Sequence, residues 1–136
     1  MKALIVDDSR TMRTILGRVI SQLGFEVEQA ENGKTAWARL GAGVPPELVL
    51  VDWHMPEMTG PGLVALMRAD ARFEHVFVIM VSSEGDPAMI GEALATGANE
   101  YIVKPFDAGA VAEKLALVGL GAGGLDSKVE MEWSMR

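Results

Sequence analysis

The sequence of 136 residues has no cysteine and only 12 basic residues against 19 acidic ones. Without cysteine there is neither a disulfide framework nor a thiolate metal site. A net charge of -7 argues against a basic surface that binds nucleic acid. The apolar runs are too short for a signal peptide or for a membrane span of roughly 18 residues. These absences predict a cytoplasmic protein that binds neither nucleic acid nor membrane.

What the sequence does contain is a regular alternation of short apolar runs and helical patterns. Strands are predicted at residues 3–6, 25–28, 48–51, 76–81 and 101–103. The first, third and fourth runs are apolar almost throughout, as in strands covered on both faces, whereas the second alternates and predicts a strand nearer the sheet edge. Helices are predicted from Ser9 to about 23, Asn32 to 40, Gly60 to about 69, Asp86 to 97 and Asp107 to about 118.

The five strand–helix pairs predict an α/β domain over residues 1–119, with a parallel sheet and helices on both faces. Residues 120–136 are predicted to form a Gly-rich linker and a C-terminal tail. In the tail, alternating apolar residues fit a half-buried strand, while Leu125, Val129 and Trp133 also fit one face of a helix. Docking of the tail and a disordered end both stay open.

Polar side chains stand at the predicted carboxyl ends of four strands, where open parallel sheets bind their ligands. They are Asp7, Asp8, Asp52, Ser82 and Lys104. Three carboxylates at close range repel one another unless a cation compensates them, and all-oxygen ligation suits Mg²⁺. A hydroxyl can donate to a phosphoryl oxygen, and an ammonium can pair with an anion. Each feature alone is commonly a turn or a helix cap, but together they predict a phosphoryl group held beside Mg²⁺ and accepted by a carboxylate.

Four segments carry a resemblance to a known family: VDDSRTMR, VDWHMPEMTG, VSS and YIVKPF. Over roughly residues 2–119 they resemble the receiver domain of bacterial response regulators, and within it the stand-alone chemotaxis (CheY-like) type. The resemblance implies a flavodoxin-like (βα)5 fold, which is a doubly wound, five-stranded parallel sheet in the order 2-1-3-4-5. It also implies a role in a two-component system or phosphorelay.

The same resemblance implies how the phosphoryl group is taken up. Asp52 accepts it from a phosphohistidine on a histidine kinase or a phosphotransfer protein. Asp8, Asp52 and the backbone carbonyl of His54 ligate Mg²⁺, with support from Asp7. Such a receiver catalyses its own phosphorylation and dephosphorylation, but it is not an enzyme that turns over a free substrate.

The switch is implied by the resemblance as well. Ser82 would hold a phosphoryl oxygen, Lys104 would pair with the acceptor carboxylate, and Pro105 would follow a cis peptide bond. On phosphorylation the hydroxyl of Ser82 moves toward the phosphoryl group and the ring of Tyr101 turns inward. The surface formed by the fourth helix, the fifth strand and the fifth helix then changes for a downstream protein target.

His54 is expected to face the mouth of the site near Glu84, which lies two residues after Ser82. A contact between these two side chains would shield Asp52 from attacking water and make dephosphorylation pH-dependent near neutrality. The alternative is that both side chains are simply solvated.

The predicted output surface departs from that of members that bind the flagellar switch. Those members often carry lysines at the start of the fourth helix, whereas this chain has Asp86, with Met89, Ile90 and Leu94 further along and Lys114 on the fifth helix. This surface suits a different protein partner or a symmetric homodimer equally well. At its helical spacing Leu94 is expected to be a core residue.

Two rival functions stay open. A pseudo-receiver, which is an interaction module that is not phosphorylated, usually lacks an acidic residue or the lysine, and none is missing here. An aspartate-nucleophile phosphatase typically carries a D-x-D motif with its nucleophile on the first strand. Here Asp7 and Asp8 are adjacent, and the acceptor candidate Asp52 follows the third strand.

Overall fold

The structure is a computed structural model, and it describes residues 1–116. Its strands are β1 (Lys2–Val6), β2 (Glu26–Ala30), β3 (Leu48–Asp52), β4 (Phe77–Ser82) and β5 (Glu100–Val103). Its helices are α1 (Arg10–Gln22), α2 (Gly33–Gly41), α3 (Gly60–Arg68), α4 (Pro87–Thr96) and α5 (Ala108–Ala116). The predicted end of the fifth helix, the linker and the tail lie outside the described residues.

The five strands form one parallel sheet in the order β2-β1-β3-β4-β5. This order confirms the predicted flavodoxin-like topology, and it places β2 at an edge, as its alternating sequence indicates. The sequence predicts β2 at residues 25–28, whereas the strand runs from Glu26 to Ala30, because all five of these residues pair with β1. All five residues of β3 are buried, since this strand lies in the middle of the sheet.

The helices cover both faces of the sheet, so each face has its own hydrophobic core. Leu16 of α1 and Val111 of α5 belong to one cluster. Leu40 of α2, Leu63 of α3 and Ala93 of α4 belong to the other. The two layers explain why β1, β3 and β4 are apolar almost throughout, because alternate residues of these strands enter opposite cores.

The helix starts follow the capping signals of the sequence. The side chains of Ser9, Asn32, Thr59 and Asp86 each accept a hydrogen bond from a backbone N–H in the first turn of α1, α2, α3 and α4. A short 3-10 turn at Ala71–Phe73, between α3 and β4, was not predicted. None of the helices within residues 1–116 has the length and hydrophobicity needed to span a bilayer.

Candidate functional site

The strand register brings the predicted site residues to one edge of the sheet. Asp7 directly follows β1, and Asp52 is the last residue of β3. Asp52 is paired with Val81 of β4, so Ser82 lies one residue further along. Lys104 directly follows β5, and its backbone N–H donates to the carbonyl of Ser82 at 2.7 Å. The five residues predicted at strand ends therefore share the carboxyl edge of four neighbouring strands, β1, β3, β4 and β5.

Three carboxylates form an acidic cluster at this edge. Asp7, Asp8 and Asp52 each offer an oxygen, and these oxygens all lie within 4.8 Å of one another. Asp7 and Asp52 are buried, at 1% and 8% exposure, whereas Asp8 is exposed. An exposed carboxylate beside two buried ones leaves the cluster open to an ion from solvent. An all-oxygen set of this kind suits a hard cation such as Mg²⁺.

Lys104 lies against the two buried carboxylates. Its Nζ is 3.1 Å from Oδ2 of Asp7 and 3.4 Å from Oδ1 of Asp52. The side chain is only 17% exposed, so these ion pairs are screened less than pairs on the surface. The Lys104–Pro105 peptide bond is cis, as the resemblance implied.

One ammonium does not compensate three carboxylates. Burial raises the pKa of Asp52 above its ordinary value, and although Lys104 lowers it, the charges of Asp7 and Asp8 raise it again. The ionised form of Asp52 is therefore less favourable in the folded protein without a metal ion than in the unfolded chain. A cation held by the same oxygens would remove this penalty, so the residues present fit a divalent metal ion.

The position of Asp7 is fixed by two hydrogen bonds that no local sequence pattern predicts. The N–H of Ser9 donates to Oδ1 of Asp7 at 2.8 Å, and Nη1 of Arg13 donates to the carbonyl oxygen of Asp7 at 2.7 Å. Arg13 lies on the second turn of α1, where nothing in its local sequence distinguishes it from Arg10. The contact becomes apparent only in the folded chain, where the side chain of Arg13 reaches back to the residue that follows β1.

The backbone after Asp52 folds back closely on the acceptor. The N–H of Gly60 donates to the carbonyl oxygen of Trp53 at 2.9 Å, so α3 begins directly beside the end of β3. A Cβ at position 60 would overlap the carbonyl oxygen of Asp52 and lie 3.0 Å from Sδ of Met80. Gly60 therefore permits the close approach that holds Asp52 in place.

Glu84 connects the acceptor side of the site with β5. Its N–H donates to Oγ of Ser82 at 3.2 Å, and its carbonyl oxygen accepts from the hydroxyl of Tyr101 at 2.6 Å. Ser82 is fully buried and Tyr101 is 6% exposed, so the tyrosine ring already lies inside the protein. The carboxylate of Glu84 lies 3.5 Å from Nε2 of His54, which is the contact that the sequence analysis proposed.

The predicted output surface differs from expectation at one residue. Leu94 is 44% exposed, so the expectation that it belongs to the core is wrong. Ala93 is the buried residue at this turn of α4, and Met89 and Ile90 are partly buried against the core. With Val103 also 39% exposed, the surface formed by α4, β5 and α5 is more apolar than predicted from the sequence.

A shallow groove runs along this surface between β5 and α5. Val103, Phe106 and Ala110 line it, together with Lys114. Lys114 is paired with Glu100 at 3.2 Å, so its charge is partly compensated. The groove therefore offers apolar contact more than electrostatic attraction.

Comparison with known proteins finds relatives over most of the chain. The model of the response regulator receiver domain family matches residues 3–116. A chemotaxis protein CheY1 of Helicobacter pylori is 46% identical over 119 residues, which is 87% of this chain and 96% of that protein. A chemotaxis protein CheY homolog of Campylobacter jejuni is 43% identical over 125 residues, which is 90% of this chain and 96% of that protein.

Solved structures are similar over the same region. Chemotaxis response regulator CheY4 of Vibrio cholerae superposes with a TM-score of 0.80 at 31% identity, covering 86% of this chain and 97% of that chain. A putative response regulator from Chloroflexus aurantiacus gives a TM-score of 0.81 at 26% identity, covering 86% of this chain and 95% of that chain.

Proposed function

The chain belongs to the response regulator receiver domain family, and on that premise we propose that it is a switch whose Asp52 accepts a phosphoryl group. The observation that carries the proposal is the acidic cluster of Asp7, Asp8 and Asp52 with Lys104 against it, at the carboxyl edge of the sheet. The donor is a phosphohistidine on a histidine kinase or a phosphotransfer protein. The relatives named as chemotaxis proteins make chemotaxis the leading pathway.

The transfer uses the carboxylate of Asp52 as the nucleophile. One of its oxygens bonds to phosphorus while the bond from phosphorus to the donor histidine nitrogen breaks, which gives an acyl phosphate and a free imidazole. The ammonium of Lys104 balances negative charge on the transferred group, and the hydroxyl of Ser82 donates to one of its oxygens. Mg²⁺ held by Asp8, Asp52 and the carbonyl of His54, with support from Asp7, would supply further positive charge.

The readout begins at Glu84, because Ser82 and Tyr101 both hold its backbone. When the hydroxyl of Ser82 turns to the phosphoryl oxygen, the N–H of Glu84 loses its acceptor. The loop between β4 and α4 then rearranges, and the hydroxyl of Tyr101 follows the carbonyl to which it donates. A downstream protein target senses the result on the surface formed by α4, β5 and α5.

The rival functions lack a comparable observation. A pseudo-receiver needs no acceptor, metal ligands or lysine, yet Asp7, Asp8, Asp52, Ser82 and Lys104 are brought together. A phosphatase would need access for a free phosphate ester and a nucleophile on the first strand, whereas Asp52 lies on β3. The protein therefore loads and unloads its own acceptor without turning over a free substrate.

We also propose the extent of the functional unit. The receiver covers residues 1–119, of which residues 1–116 are described, and residues 120–136 are a linker and tail. Its phosphodonor is a cytoplasmic kinase system, so the same compartment is proposed for this chain. A homodimer through the surface formed by α4, β5 and α5 is an alternative use of that surface.

Fluorescence of Trp53 tests the proposal, since this buried side chain is next to the acceptor. Addition of Mg²⁺ and then acetyl phosphate should change the emission in two steps. The intact mass should rise by one phosphoryl group in the second step. Asp52→Asn is the control and should lose the second step and the mass increase. A wild-type chain that gains no mass from acetyl phosphate or from a kinase would favour the pseudo-receiver.

The contact between His54 and Glu84 leads to a prediction about the lifetime of the phosphoryl group. The side chain of His54 is 61% exposed and that of Glu84 is 50% exposed. Both lie at the mouth of the site, where attacking water must pass. Replacing His54 with alanine should open this path and raise the rate of autodephosphorylation several-fold. The rate is measured by loss of the phosphorylated mass after the donor is removed.

The second histidine provides a matched control for this experiment. His75 also contacts a glutamate, with Nε2 at 3.3 Å from Oε1 of Glu74, but it lies near the start of β4 and is 94% exposed. His75→Ala should leave the dephosphorylation rate unchanged. Equal rates in wild type and His54→Ala would show that the contact does not shield Asp52.

A further inference from the structure

Helix α4 is held weakly by the core compared with its neighbours. Of its ten residues only Ala93 is buried, whereas within the described residues each of the other α-helices buries at least two. Met89, Ile90 and Thr96 are partly buried, and the other six residues of the helix are exposed. The position of α4 therefore depends strongly on what holds its two ends.

The C-terminal end of α4 is held by Arg68, the last residue of α3. Its Nε donates to the carbonyl oxygen of Gly97, the C-cap of α4, at 2.9 Å. All five N–H groups of the guanidinium are used, and within residues 1–116 their acceptors are neutral oxygens. The acceptors are the carbonyl oxygens of Gly97, Phe73, Glu74 and Val76 and the side-chain oxygen of Asn99.

The contact between Arg68 and Gly97 depends on the absence of a side chain. Gly97 has a φ of 130°, which L side chains rarely adopt, and a Cβ there would lie 2.5 Å from Cγ of Arg68. Asn99 strengthens the attachment, because its side-chain oxygen also accepts from the N–H of Val78 at 2.8 Å. The end of α4 is therefore tied to both α3 and β4.

The N-terminal end of α4 is held by contacts that change in the proposed switch. Residues 83–88 are exposed, and the loop before the helix is held through the backbone of Glu84 by the hydroxyls of Ser82 and Tyr101. These are the two hydroxyls that move in the proposed switch. One end of α4 therefore responds to the acceptor, while within residues 1–116 the other end makes no polar contact with the site.

We propose that Arg68 is a positioning residue of the switch, which fixes the C-terminal end of α4 so that the helix pivots about Gly97. A ten-residue helix is about 15 Å long, so a pivot at one end concentrates the displacement at the other. Met89 and Ile90, near the moving end, would then change their exposure more than Leu94. This inference rests on the proposed switch function.

Hydrogen exchange measured by mass spectrometry tests the pivot, since it reports local opening segment by segment. Without a phosphodonor, Arg68→Lys should speed exchange of residues 97–99, because lysine keeps the charge but cannot reach five acceptors. Tyr101→Phe should instead speed exchange of residues 84–90 and leave 97–99 unchanged. Arg72→Lys is the control, since Arg72 makes an exposed ion pair with Asp70 at 2.7 Å, and neither segment should change.

Acetyl phosphate with Mg²⁺ provides the second arm. In wild type, exchange should change in residues 84–90 and stay constant in 97–99. Arg68→Lys should gain the phosphoryl mass at the wild-type rate, yet the change in exchange should spread to 97–99. If Arg68 only stabilised the fold, Arg68→Lys would speed exchange of both segments alike, without changing which segment responds to phosphorylation.

The outcomes separate this inference from the proposed function. If wild type gains no phosphoryl mass, the proposed function fails, while the comparison of Arg68→Lys with Tyr101→Phe still decides the pivot. If Arg68→Lys does not fold, Asn99→Ala removes one acceptor from an exposed residue and should loosen residues 97–99 in the same way. Parallel changes in both segments of phosphorylated wild type would overturn the pivot.

Discussion

Replacing Asp52 with asparagine is expected to abolish phosphoryl uptake and to raise the free energy of unfolding in metal-free buffer at neutral pH. The acceptor is buried and its pKa is raised, chiefly by burial and further by Asp7 and Asp8, against the opposing effect of Lys104. Ionised Asp52 therefore destabilises the fold in the absence of a metal ion. Asparagine has nearly the same shape without the charge, so a gain of about 1 kcal/mol is expected, a usual size for single stabilising substitutions.

The pH dependence of this gain follows from the direction of the shift. Because the pKa of Asp52 in the folded protein exceeds its ordinary value of 3.8, the folded state binds the proton more tightly than the unfolded state. Stability from this group is then present below pH 3.8 and is lost as the pH rises through the folded-state pKa. The advantage of asparagine should therefore be complete at neutral pH and shrink as the solution is acidified.

Urea unfolding in EDTA at several pH values measures this effect. Asp70→Asn is the control, because hydrogen bonds from Arg72 lower the pKa of Asp70 and so favour its ionised form. Asparagine at position 70 should give no gain at any pH. A neutral-pH stability of Asp52→Asn at or below wild type would show that Lys104 already compensates the acidic cluster.

Magnesium should reverse the order of the two proteins. An ion that binds only the folded state stabilises it by about 2.7 kcal/mol at a hundred times its dissociation constant. Wild type offers the carboxylates of Asp7, Asp8 and Asp52, whereas Asp52→Asn offers one fewer and should gain less. The cluster is thus destabilising for the empty fold and favourable for function, as expected where a site holds unmatched charges.

The sequence predicted the parts of this structure that depend on local signals. Ser9, Asn32 and Asp86 mark helix starts because a cap is satisfied within its own first turn. The candidate site could be assembled because carboxyl ends of parallel strands must meet at one edge, whatever the details of packing. The contact between His54 and Glu84 followed from the same alignment of neighbouring strands.

The features that the sequence did not predict depend on distant segments. Arg68 reaches acceptors as far as Asn99, and no local pattern marks an arginine at the end of α3 for that role. Leu94 has the spacing of a core residue, but the small Ala93 takes the buried position where α4 meets the sheet. The sequence predicts Gly60 only as a helix start, whereas in the structure its missing side chain also makes room for the backbone of Asp52.

Two helical glycines are expected to respond oppositely to alanine because of that close approach. Gly60→Ala should lower the free energy of unfolding by about 1–3 kcal/mol, which is typical of overpacking in a core. The added methyl group would overlap the backbone carbonyl of Asp52, which cannot rotate away as a flexible side chain could. The end of β3 must shift instead, so phosphoryl uptake from acetyl phosphate should also slow.

Gly91 is the matched control, since it lies inside α4 and a Cβ there would meet nothing within 4 Å. Gly91→Ala should raise the free energy of unfolding by about 0.5–1 kcal/mol, because alanine loses less backbone entropy in a helix. Phosphoryl uptake should stay at the wild-type rate, as the acceptor is untouched. If Gly60→Ala destabilised the fold but left uptake unchanged, the geometry of Asp52 would be set by β3 alone. Loss of both together would place the start of α3 among the elements that hold the acceptor.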